Sequence, residues 1–131
     1  APDRDVVVIC GDGGFYMNIQ ELATISSYRL PIKIVVINNG HLGMIRQIQD
    51  LFYEARFTTS ALGDTVDLTA VAKGFGIPAE RTAVDEAPAE AIARMASASG
   101  PYMLEAMVDQ NNYVYPIIPP GASNMEMICG K

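Results

Sequence analysis

Two short runs of β-branched residues constrain this chain more than any other feature. Val6–Cys10 reads VVVIC and Ile32–Ile37 reads IKIVVI. A strand with one wet face alternates apolar and polar residues, whereas a nearly continuous apolar run suits a strand covered on both faces, as in a parallel sheet. Between the runs, Met17, Ile19, Leu22, Ala23 and Ile25 share a helical stripe, with Asn18 as a candidate cap. The expected unit is strand, helix, parallel strand, with a right-handed crossover.

The pattern continues downstream. The stretch LGMIRQIQDLFY carries Leu42, Ile45, Ile48, Leu51 and Phe52 at helical spacing. Asp67 looks like the N-cap of a helix bearing Leu68, Val71, Ala72 and Phe75, with Gly76 as its C-cap. A short strand around RTAV, an alanine-rich helix from about Ala87 to Ser97 and a strand in YMLEAMV follow. Alternating elements of this kind predict an α/β fold, a parallel-sheet layered domain with helices on both faces. Residues 1–109 form the expected α/β body, and residues 110–131, with prolines at 116, 119 and 120, the expected arm on its surface. The first strand starts near residue 6, so the earlier strands of any larger sheet are expected outside this chain.

Composition removes several functions. The 131 residues suffice for one core, and half of them are hydrophobic. The net charge is −6 and no block of Lys or Arg occurs, which argues against a nucleic-acid surface. No apolar run approaches the roughly 20 residues that span a bilayer, and no signal peptide is evident. Cys10 and Cys129 form no metal or redox motif, and Cys10 reads as a buried thiol, so a cytoplasmic setting is expected, or an organelle after removal of a transit peptide.

Each apolar run ends in a polar, glycine-containing turn: CGDGG after the first, NNGHLGM after the second. Parallel neighbours lie about 4.8 Å apart with their carboxyl ends on one edge, so Asp12 and Asn39 can converge. Open α/β sheets bind ligands at that edge. Carboxylate and amide oxygens are hard donors, suited to Mg²⁺ or Ca²⁺. Gly11, Gly13 and Gly14 let backbone N–H groups approach an anion, and the next helix adds its positive end. With no Lys between Asp5 and Lys33, a divalent cation must neutralise that anion, most economically a diphosphate. A P-loop is excluded by the missing G-K-[ST], and a dinucleotide fingerprint by Tyr16. Asn-Gly also signals hairpins, yet the residues after Gly40 follow helical spacing.

GDGGF followed at this distance by NNG resembles the cofactor motif of thiamine-diphosphate-dependent enzymes. The run from Met17 to Phe57, together with DLTAVAKGFGIP and VYPIIPPGAS, resembles one branch of them: the large catalytic subunit of acetolactate synthase, or acetohydroxyacid synthase. The resemblance implies that Asp12, the Asn39 side chain and the His41 backbone carbonyl ligate magnesium. It implies that Gly11, Gly13 and Gly14 cradle the diphosphate of thiamine diphosphate, and that Leu42, Gly43 and Met44 close over it. Met44 and Ile48 would line the substrate channel. The His41 side chain itself reads as incidental. Two positions depart from the family: Gly14, often Ser or Ala there, and Ile48, often Trp, which leaves the second-substrate preference open.

The implied activity is that of a transferase of branched-chain amino-acid biosynthesis. It decarboxylates pyruvate and joins the two-carbon unit to a second 2-keto acid, pyruvate or 2-ketobutyrate. The full enzyme is expected to be a homo-oligomer with FAD in a domain outside this segment, and the resemblance leaves room for a regulatory subunit. The glutamate that activates the cofactor also lies outside this chain, so no catalytic residue is assigned and the chain alone is expected to be inactive. Sister enzymes share the motif: pyruvate oxidase, glyoxylate carboligase and sulfoacetaldehyde acetyltransferase. A non-catalytic flavodoxin-like binding domain is the rival from another class. Uncovered apolar residues at Met44, Ile48, Phe52 and Tyr53 would drive self-association.

Overall fold

The computed structural model describes residues 4–63, 65–84 and 86–130. Its centre is a four-stranded parallel sheet of order β1-β2-β4-β3, formed by β1 (Val6–Gly11), β2 (Ile32–Asn38), β3 (Ala79–Thr82) and β4 (Tyr102–Met107). Helices α1 (Asp12–Tyr16), α2 (Glu21–Ser27) and α4 (Leu68–Gly74) cover one face, where Phe15, Leu22, Leu68 and Ala72 pack on Ile34, Val36 and Met103. Helix α5 (Ala89–Ser97) covers the other, with Ala91 and Met95 against Leu104. Burial of each large side chain contributes about 2 kcal/mol before chain entropy is counted. Helix α3 (Gly43–Phe52) carries the residues after the second turn.

Local chemistry sets several boundaries as expected. Asp67 caps α4, accepting from the N–H groups of Thr69 and Ala70. The helix ends in a Schellman motif: Gly76 has φ +77°, its N–H bonds to Lys73 O, and Ile77 N–H bonds to Ala72 O. Gly76 thus lies one position past the cap, which is Phe75.

Four expectations are corrected. The single helix between the first two strands is two short helices joined by a turn at residues 17–20. Asn18 caps neither start; its Nδ2 donates to Gly14 O, closing the end of α1, and Met17 is exposed. β1 is not covered on both faces: Val6, Val7, Val8 and Ile9 are all exposed. The reason is position, since β1 is an edge strand paired only with β2, and only Cys10 reaches the core. The third strand begins at Ala79, two residues ahead of RTAV, and ends at Thr82.

Residues 110–130 lie over the body as an irregular arm. Ile117 and Ile128 form an antiparallel bridge, and Ser123 and Glu126 form a capping box around a 3-10 turn, Asn124–Glu126. The arm is pinned by Gln47 of α3, which is 1% exposed. Its Nε2 donates to Val114 O at 2.7 Å and its Oε1 accepts Val114 N–H at 3.0 Å. Met44 and Tyr53 are exposed as expected, while Ile48 and Phe52 are half-buried.

Candidate functional site

β1 and β2 run parallel in a register that pairs Gly11 with Ile37, so both chains leave the sheet at one edge. Asp12 opens α1 directly, placing Gly13 and Gly14 inside the first helical turn instead of in a loop ahead of it. The Asp12 carboxylate is buried. Its Oδ2 accepts Gly40 N–H at 2.8 Å, and Oδ1 lies 2.9 Å from Gly13 N. Burial pushes the Asp12 carboxyl above the usual value, against the opposing pull of the Gly13 and Gly40 N–H groups and of nearby His41. Among the described residues no Lys or Arg pairs with it.

The second turn is two overlapping Asx-turns. Asn38 Oδ1 accepts Gly40 N–H at 2.8 Å, and Asn39 Oδ1 accepts His41 N–H at 3.0 Å. Gly40 sits between them at φ +69°, where a Cβ is strained. His41 pairs with Ala61 in an antiparallel bridge closed by Leu42 N–H to Ser60 O and Leu62 N–H to Gly40 O. Those bonds leave the His41 carbonyl outside the bridge. The imidazole Nδ1 donates to Asn39 O at 3.0 Å, and Arg46 Nη1 stands 3.5 Å from Nε2.

Asp12, Asn39, His41 and Gly43 line one cavity of about 430 Å³, whose far wall is the arm at Asn112, Tyr113 and Val114. An adjoining hollow is lined by Gly13, Gly14, Leu42 and Met44. Gly11 lines both, and Ile48 lines neither. In two places a side chain in place of glycine would displace a neighbouring side-chain tip. A Cβ on Gly13 would come 2.7 Å from Leu42 Cδ2, and one on Gly43 would come 2.9 Å from Asn39 Nδ2. At Gly14 a Cβ meets nothing within 4 Å, so a Ser or Ala fits there.

The donor set fits a hard divalent cation. A buried carboxylate satisfied only by backbone N–H groups shares a cavity wall with an amide oxygen that keeps a free lone pair. Among the described residues no three His, Cys, Asp or Glu side chains cluster as a metal site.

Sequence reasoning missed three contributors. Glu105 is fully buried beneath the turn and bonds Asn38 and Arg81. Its signal was visible, a lone charge inside the apolar run YMLEAMV. The arm residues at the cavity and the loop strand at Ser60–Leu62 carried no comparable signal, because only tertiary contacts bring them there.

Comparison with known proteins agrees with the fold. Residues 1–106 match the model of the family "Thiamine pyrophosphate enzyme, C-terminal TPP binding domain", and the chain belongs to that family. Among its curated relatives are the Escherichia coli acetolactate synthase isozyme 2 large subunit, 42% identical over 97% of this chain and 23% of that protein, and the chloroplastic acetolactate synthase 2 of Zea mays, 44% identical over 97% and 21%. The chain therefore spans about a fifth of the length of these relatives. A solved thiamine diphosphate-dependent 4-hydroxybenzoylformate decarboxylase from Rhodococcus jostii superposes with a TM-score of 0.75 at 25% identity, over 83% of this chain and 20% of that one. Among the described residues no helix is long and apolar enough to cross a membrane.

Proposed function

We propose that this chain is the magnesium- and diphosphate-binding portion of an acetolactate synthase large subunit, with residues 1–109 as its body and 110–131 as an arm over the cavity. The observation that carries the reading is the buried Asp12 carboxylate, paired with no Lys or Arg among the described residues, sharing a cavity with Asn39 at the carboxyl edge of a parallel sheet. In this reading Asp12, the Asn39 side chain and the His41 carbonyl hold Mg²⁺. Backbone groups of Gly11, Gly13 and Gly14 face the diphosphate, while Leu42, Gly43 and Met44 close over it and exclude water. Met44, exposed at the cavity mouth, faces the substrate side.

When bound, thiamine diphosphate supplies an electron sink that lets a 2-keto acid lose carbon dioxide. The share of this chain is to neutralise the phosphates through the metal, orient the cofactor and shape the cavity. In this reading no side chain here needs to be the acid or base. The proposed substrates are pyruvate and a second 2-keto acid, the proposed setting is branched-chain amino-acid synthesis, and the full subunit would bind FAD elsewhere and assemble as an oligomer.

Calorimetric titration with thiamine diphosphate tests the site. Binding is expected with Mg²⁺, not without it, and not by Asp12→Ala. Equal binding by both proteins removes the metal assignment. Product analysis from pyruvate with the complete protein separates acetolactate formation from the sister activities.

A further inference from the structure

β4 reads YMLEAM, and Glu105 is its one charged residue. It lies between β2 and β3, opposite Val36 and Arg81, and is 0% exposed. A carboxylate accepts hydrogen bonds and donates none. Oε2 takes the Nε–H of Arg81 at 2.8 Å, and Oε1 takes the Nδ2–H of Asn38 at 2.6 Å. A side-chain amide has one donor end and one acceptor end, and Glu105 admits only the donor end. Asn38 Oδ1 is therefore turned the other way, onto Gly40 N–H, which also serves Asp12 Oδ2. Val108 N–H holds the Asn38 carbonyl at 2.9 Å, so the side chain is the part left to be oriented.

We propose that Glu105 is a positioning residue of the site: by fixing which way the Asn38 amide faces, it sets the turn that holds Asn39 and Gly40 against Asp12. Its functional consequence rests on the magnesium–diphosphate reading of the cavity, whereas the positioning itself is measurable without any ligand. Arg81 is the second anchor. It reaches Asp67 at 3.2 Å, so the line of contacts runs from the cap of α4 through Glu105 to the turn.

The test uses the full chain and the amide exchange of Gly40 followed by NMR. Glu105→Gln keeps the volume but offers one acceptor. Keeping the Arg81 bond turns its NH₂ group towards Asn38, whose amide must flip and withdraw Oδ1 from Gly40. Gly40 exchange is expected to quicken about tenfold, the loss of roughly one hydrogen bond, while Val36 and Leu104 amides stay as they were. The pair Glu105→Gln with Asn38→Asp exchanges donor and acceptor, and wild-type protection at Gly40 is expected to return.

Unchanged Gly40 exchange in Glu105→Gln overturns the proposal, as does a paired variant no better protected than the single one. Should the single variant fail to fold, the paired variant decides alone, by folding with a protected Gly40 or not. Mn²⁺ affinity in the presence of thiamine diphosphate, read by electron paramagnetic resonance, is expected to fall about 10–100-fold in Glu105→Gln. If the wild-type chain binds no Mn²⁺, the magnesium reading fails and Gly40 exchange still judges the positioning. Unchanged Mn²⁺ affinity beside an unprotected Gly40 overturns the link to the site.

Discussion

Asp12 and Glu105 are both buried carboxylates near the same turn, yet they are satisfied in different ways. Glu105 has a guanidinium and a side-chain amide of its own protein. Asp12 has backbone N–H groups and no Lys or Arg partner among the described residues. A buried charge without a counter-ion is costly, so chains retain one only where something else is gained. Glu105 is held within the framework, whereas the Asp12 carboxylate faces a cavity with only backbone partners, the arrangement on which the proposed Mg²⁺ site rests. Under the proposed function, the distinction is what would let an acidic protein take up an anionic cofactor with no Lys or Arg in its binding turns.

The sharpest way to break this comparison is Asp12→Asn. The amide still accepts from Gly40 but brings no charge, so Mg²⁺-dependent thiamine diphosphate binding is expected to disappear from calorimetric titration. Stability of the metal-free chain is expected to move the opposite way. Burial raises the Asp12 carboxyl pKa, so the ionised form is the one the fold disfavours at neutral pH. Replacing it is expected to raise Tm, relief of the buried charge outweighing the Gly13 N–H contact that the single acceptor oxygen of the amide gives up. A lower Tm would show that Asp12 is a framework charge after all.

Glu105→Leu applies the same removal of charge to the other carboxylate, with the opposite expected sign. Arg81 and Asn38 both lose their acceptor, and Arg81, its side chain 44% exposed, recovers part of that loss from water. A loss of about 2 kcal/mol is expected, read as a lower urea midpoint at unchanged slope. An unchanged midpoint would erase the difference between the two sites.

How much of this was legible in the sequence follows from the range of the interactions. The Asp67 cap and the Gly76 turn were readable because every partner lies within a few residues. The convergence of the CGDGG and NNGHLGM turns was readable because two apolar runs and one crossover fix it. The coverage of β1 was not, since VVVIC gives the same pattern at an edge as in a centre, and only neighbouring strands decide. The role of Asn18 was not legible either, because a polar residue ahead of an apolar stripe can cap the start of one helix or close the end of the helix before it. Glu105 was visible as an anomaly, but its partners Asn38 and Arg81 lie 67 and 24 residues away along the chain. The role of the arm depends on a contact between Gln47 and Val114, and neither residue type announces it.

A third carboxylate, Glu80, tests whether pairing with only partial burial gives the Glu105 behaviour. Glu80 accepts two hydrogen bonds from Arg94 at its Oε2, at 3.0 and 2.8 Å, and one from the Tyr102 hydroxyl at Oε1. The Arg94 hydrogen bonds, then that of Tyr102, draw its carboxyl below the usual value near 4.5. A depressed folded-state pKa gives stability that is whole above the unfolded value and lost as pH falls through the folded one. Wild type is therefore expected to lose stability below about pH 4.5 more steeply than Glu80→Gln, the two curves converging at lower pH. Because Arg94 is half-exposed, water competes for the pair and the difference is expected to be the smallest of the three. Parallel acid limbs for the two proteins would mean that a paired carboxylate contributes here only when it is sealed from solvent, as Glu105 is.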